Sequence, residues 1–95
     1  MIDLDKILTV SANTFYESKG LNKKDYELVG VHTFGIMEPS ASNNKVSPKS
    51  KFAQKVPEDA IAVTDYRVAI STYGYFTGYP NVFYEANGTA LIPKK

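Results

Sequence analysis

The stretch Ala60-Ile61-Ala62-Val63-Thr64-Asp65-Tyr66-Arg67-Val68-Ala69-Ile70-Ser71-Thr72 is the clearest β-strand in the chain. Ala62, Thr64, Tyr66, Val68 and Ile70 share one parity while Asp65 and Arg67 fall on the other, which is the period of two that a pleated strand imposes. A second run, from Tyr26 to Met37, carries apolar residues on both parities, so it reads as a strand with two partly covered faces. The run from Asn81 to Pro93 is also rich in β-formers, but it contains Asn87-Gly88. That dipeptide suits a type I′ hairpin, because both turn positions need φ > 0. It equally suits a continuous strand in which Gly marks a bulge or a close backbone approach. Splitting the segment would leave two short strands, so the continuous reading is preferred.

Around these strands the signals are weaker. Lys6-Ile7-Leu8-Thr9-Val10-Ser11 reads as a minor strand, followed by a polar stretch from Glu17 to Asp25 in which Gly20 and Asn22 mark a turn. Residues 38–50 are mostly Ser, Asn, Pro and Lys, the composition of a solvated, mobile loop. The loop leads into a helix signal. Ser47 is placed to accept from the first-turn amides, Pro48 occupies the first helical position, Phe52 and Val56 stand at i and i+4, and Pro57 stops the run. A helix of two turns is marginal alone and forms only by docking Phe52 and Val56 on a sheet.

Length and composition set the outer limits. Ninety-five residues make one small domain, 1–95, with a single modest core. Without Cys and with one His, the chain offers neither a disulfide framework nor a transition-metal ligand set, so no metal and no cofactor is expected. Eleven basic residues against ten acidic ones give no global field that selects nucleic acid or anionic lipid. No apolar run approaches the ~20 residues of a membrane span, and the acidic N-terminal residues do not resemble a signal peptide, so a cytoplasmic setting is expected.

Three constellations are candidates for function. Tyr73-Gly74-Tyr75-Phe76-Thr77-Gly78-Tyr79-Pro80 combines four aromatic residues with two glycines. Tyr73, Tyr75, Phe76 and Tyr79 on such a turn present large apolar area at small entropic cost, which suits a subunit interface or the stacking of bases. Lys45, Lys49, Lys51 and Lys55 lie in a segment with no acid between Glu38 and Glu58, a possible cationic companion for single-stranded nucleic acid or another polyanion. His32 sits mid-strand, where it serves as an interface residue, an acid/base group or a hydrogen-bonded sheet histidine. Arg67 is expected to pair across strands with Glu85 or Glu27.

Tyr26-Glu27-Leu28-Val29-Gly30-Val31, Asp59-Ala60-Ile61-Ala62-Val63 and Asn87-Gly88-Thr89-Ala90-Leu91 together resemble the YbjQ-like family of small bacterial and archaeal proteins. The resemblance covers about seventy residues. It implies a two-layer α+β subunit with an antiparallel sheet, assembled as a ring, commonly a pentamer. That family is sometimes labelled heavy-metal-binding, but this chain has no Cys and one His to carry such a role.

The expected protein is therefore α+β: a small, mostly antiparallel sheet of about four strands with one short helix on one face. Its expected function is that of a non-enzymatic homo-oligomeric assembly module. The alternatives are polyanion binding through residues 73–80 and 45–55, and a small-molecule binder or enzyme using His32.

Overall fold

The computed structural model describes residues 1–36, 47–73 and 81–94. Among these residues two α-helices, α1 (Ala12–Lys19) and α2 (Pro48–Lys55), accompany three strands, β1 (Tyr26–Ile36), β2 (Ala62–Tyr73) and β3 (Asn81–Pro93). The strands form an antiparallel sheet in the order β1-β3-β2, consistent with a small α+β fold.

β3 runs unbroken through Asn87-Gly88, with Asn87 opposite His32 and Gly88 opposite Val31. The reason for the glycine is packing. Ala86, Gly88 and Ala90 form a shallow trough on one face, and a Cβ on Gly88 would lie 2.7 Å from Val63 Cγ1 and 2.9 Å from Phe52 Cζ. Small residues there let α2 approach the sheet.

α2 is formed as its sequence signals require. Ser47 Oγ accepts from the Ser50 amide at 3.1 Å, Pro48 opens the helix, and Val56 follows in extended conformation. Phe52, Ala53 and Val56 pack into a core with Ile7, Val31, Val63, Tyr66, Ala86 and Ala90. The Phe52 and Tyr66 rings meet edge to face at 5.0 Å between centroids. Burying Phe52 fully contributes about 1.5–3 kcal/mol, enough to hold a helix that is marginal in isolation.

The opposite face of the sheet carries α1, so the helices lie on both faces rather than one. Ser11 Oγ accepts from the Thr14 amide at 3.2 Å. Gly20 ends the helix in the left-handed region at φ 65°, and the Leu21 amide returns to the Tyr16 carbonyl at 2.9 Å. Phe15 and Tyr16 pack on Ala62 and Leu91.

The expected N-terminal strand reduces to a single parallel bridge, Ile7 to Val63. There are three strands among the described residues, not four. The N-terminal segment instead satisfies the outer edge of β2: Leu8 donates to the Val63 carbonyl at 2.8 Å, Tyr66 to Leu8 at 3.0 Å and Asp65 to Val10 at 2.8 Å. These bonds accompany a β-bulge between Thr64 and Arg67, where Asp65 takes φ 56°. The extra residue reverses the parity of β2. Ala62 and Thr64 face the α1 side, while Tyr66 joins the core under α2. Sequence parity placed all three together.

Ser47 to Ser50, the end of the expected loop, form the cap and first turn of α2; residues 38–46 of that loop lie outside the described residues. The radius of gyration is 15.8 Å, against about 12 Å for a compact domain of this length. The helices gather toward one part of a sheet that extends well past them.

Candidate functional site

On the α1 side of the sheet, no described element covers the surface beyond Thr89. The register places side chains there in rows. His32, Asn87 and Arg67 form one row, Phe34, Glu85 and Ala69 the next, and Ile36, Phe83 and Ser71 the last. The apolar members are conspicuous, Phe34 being 64% and Ile36 57% exposed, and Leu28, farther along the same strand opposite Leu91, is 53% exposed. Phe34 stacks on Phe83 with centroids 5.8 Å apart and planes 13° from parallel. β1, which carries these residues, has the two partly covered faces its sequence suggests: α2 buries the Val31 and Thr33 side, and on the other face Tyr26 packs against the α1 cluster while Phe34 and Ile36 stay exposed.

His32 lies on this open face. Its Nε2 stands 2.8 Å from Glu85 Oε1, and since a carboxylate only accepts, the imidazole N–H donates. Both side chains are about half exposed, so the pair contributes at most about 1 kcal/mol. This corrects the expected partner of Glu85, which is His32 and not Arg67. Glu27 is also remote from Arg67, because it sits opposite Ile92 while Arg67 sits opposite Asn87.

The other face holds a cleft of about 410 Å³ between α2 and β1. Thr33, Gly35, Lys51, Gln54, Lys55 and Tyr84 contribute to it. The Tyr84 ring lies over Gly35, where a Cβ would come within 2.7 Å of the phenol oxygen, and Lys51 Nζ stands 5.9 Å from the ring centroid. Lys51 and Lys55, one helical turn apart, thus share a site, and Lys49 is partly exposed on the same helix. His32 contributes to neither this cleft nor a second one of about 650 Å³ bordered by Asn13, Tyr16 and Lys23. The sheet separates His32 from the lysines.

The remaining candidates fall at the edge of the described structure. Tyr73 is the last residue of β2, opposite Asn81. Tyr75, Phe76, Tyr79 and Lys45 lie outside the described residues. What sequence reading missed is the row of Leu28, Phe34 and Ile36 with Phe83. The first three share one parity of a run whose alternation was visible, but parity alone does not say which face a helix covers.

Among the described residues three buried polar atoms have no hydrogen-bond partner: Thr33 Oγ1, Thr64 Oγ1 and the Tyr66 hydroxyl. Burial, and secondarily the neighbouring Tyr84 phenol, pushes the Tyr66 hydroxyl above its usual range. Among the described residues no group of three or more His, Cys, Asp and Glu is placed to hold a metal ion, and no helix is long and apolar enough to cross a membrane. No protein-family model, no curated protein and no solved structure matches this chain.

Proposed function

We propose that this chain is a cytoplasmic, non-enzymatic assembly module that associates with copies of itself through the open side of its sheet. The observation that carries the reading is the exposure of Leu28, Phe34 and Ile36 along a strand whose outer edge pairs with nothing among the described residues. Exposed apolar residues scattered singly are ordinary, but a row of them on one strand is characteristic of an interaction surface. Edge strands are normally defended by Pro, Lys, a bulge or a covering segment. β2 has such a defence in the bulge at Asp65 and the Leu8 and Val10 contacts. β1 has none among the described residues: it is eleven residues long, keeps an unbroken register with β3, and contains neither Pro nor Lys. The YbjQ-like resemblance supports the same reading, since that family implies joined subunits.

Sedimentation velocity over a wide range of protein concentration tests the proposal. The expected outcome is a weight-average sedimentation coefficient that rises with concentration and a rise that Phe34→Lys suppresses. A coefficient that stays at the monomer value for the wild-type chain at millimolar concentration overturns it.

Polyanion binding is the second reading, supported by Lys51 and Lys55 sharing one cleft. It predicts salt-sensitive binding of a single-stranded oligonucleotide that is weakened by Lys51→Ala with Lys55→Ala. Absence of binding at low salt removes it.

A further inference from the structure

Building on the self-association reading, we infer that two copies pair antiparallel along β1 about a two-fold axis at Val31, with Glu27 of each copy entering the lysine cleft of the other. A two-fold interface is isologous, so the same strand must complement itself. In an antiparallel pair the faces are preserved only when residues of like parity oppose each other. With the axis at Val31, opposed residues have numbers summing to a constant, and all eleven residues of β1 find a partner within the strand. Moving the axis to Gly30 leaves Gly35 and Ile36 without partners in β1. Moving it to His32 leaves Tyr26 and Glu27 without them and sets the two imidazoles against each other.

The Val31 axis also matches side chains. On the open face Leu28 meets Phe34 of the second copy, and Ile36 meets Tyr26, which already lies against Tyr16 with ring centroids 5.8 Å apart. His32 meets Gly30, where a Cβ would have nothing within 4 Å, so the imidazole has room. These are the direct cross-strand contacts that stabilise sheets.

The charge match comes from the α2 side. Glu27 has the parity of Val31 and Thr33, so its side chain emerges on the face that carries α2, and it is exposed. In this register it stands opposite Gly35 of the second copy. Gly35 borders the cleft to which Lys51 and Lys55 contribute. Glu27 is the one carboxylate on β1, and Lys51 and Lys55 line the cleft that Gly35, its counterpart position, borders, so each copy supplies an acid to the other's basic cleft. The interface thereby unites an apolar row on one face with two ion pairs on the other.

The chain contains no Cys, which gives cross-linking a clean background. Leu28→Cys and Phe34→Cys proteins, both altered at exposed positions, are mixed and oxidised, and each is also oxidised alone. Opposed residues bring Cβ atoms to about 5 Å, within reach of a disulfide, whereas identical positions are six residues apart, roughly 20 Å. The expected result is a covalent dimer from the mixture and not from either protein alone. Glu27→Lys is expected to weaken dimerisation severalfold, and Lys51→Glu with Lys55→Glu to restore it in the same chain. Association by sedimentation without the mixed cross-link overturns the register while leaving self-association standing. An odd-numbered ring does the same, and a strict monomer removes both.

Discussion

Adding one methyl group at Gly88 tests the packing account of β3. In Gly88→Ala the new Cβ falls 2.7 Å from Val63 Cγ1 and 2.9 Å from Phe52 Cζ, both in the fully buried core. Overpacking of this kind costs about 1–3 kcal/mol. Replacing Gly by Ala in a strand returns about 0.5–1 kcal/mol of chain entropy. The net expectation is a loss of about 1–2 kcal/mol, which in a domain of this size lowers the melting temperature by about 5–15 °C. Thermal and urea unfolding followed by circular dichroism measure it. A double-mutant cycle with Val63→Ala isolates the cause, because removing Cγ1 opens the space the new methyl needs. Gly88→Ala should therefore cost at least ~0.5 kcal/mol less in the Val63→Ala background. An equal cost in both backgrounds refutes the steric explanation and points to a backbone requirement at Gly88.

Other expectations follow from single features. Tyr66→Phe removes a buried hydroxyl that has no partner and should gain about 1 kcal/mol at neutral pH, read as a higher urea midpoint. The same phenol holds its proton more tightly in the folded state, so stability is intact below pH 10.0 and falls as pH rises past that value, where only the unfolded chain ionises. Tyr66→Phe should flatten this alkaline loss, and an unchanged slope would show that Tyr66 is not its source. Ser47→Ala deletes the cap on the Ser50 amide and should cost about 1 kcal/mol. Glu85→Gln, which weakens the His32 pair, should change stability by less than about 1 kcal/mol, with the difference shrinking in 1 M salt.

Local chemistry decided which elements could be read from sequence. α2 was legible because a cap, a first-turn proline and an i, i+4 apolar pair agree at one place. α1 was not, since its buried residues Phe15 and Tyr16 are adjacent and leave no apolar stripe of helical period. Its termini do carry signals, Ser11 before the helix and Gly20 after it, but a glycine that follows a β-favouring run marks a turn as readily as a helix C-cap. Ile7, Thr9 and Val10 favour extended structure, yet the segment meets only the short part of β2 at the bulge. The bulge itself left almost no trace. Asp tolerates the left-handed region better than most residues, but one aspartate in an alternating run does not announce an inserted residue.

The candidate site was legible in part. Leu28, His32, Phe34 and Ile36 share one parity of β1 and so lie on one face, and Lys51 and Lys55 of the acid-free segment stand one turn apart on α2. Which face would remain open depended on where the helices docked, a long-range outcome that strand periodicity does not encode. The His32–Glu85 pair arises from a diagonal contact fixed by the β1–β3 register, which itself depends on β3 running straight through Asn87-Gly88.

Multi-angle light scattering on the wild-type chain and on Phe34→Lys, from micromolar to millimolar concentration, tests the central claim most directly. The account predicts a wild-type mass that climbs from the 10.5 kDa of one chain toward twice that value, while Phe34→Lys remains near 10.5 kDa. A wild-type mass fixed at 10.5 kDa over the whole range would contradict it.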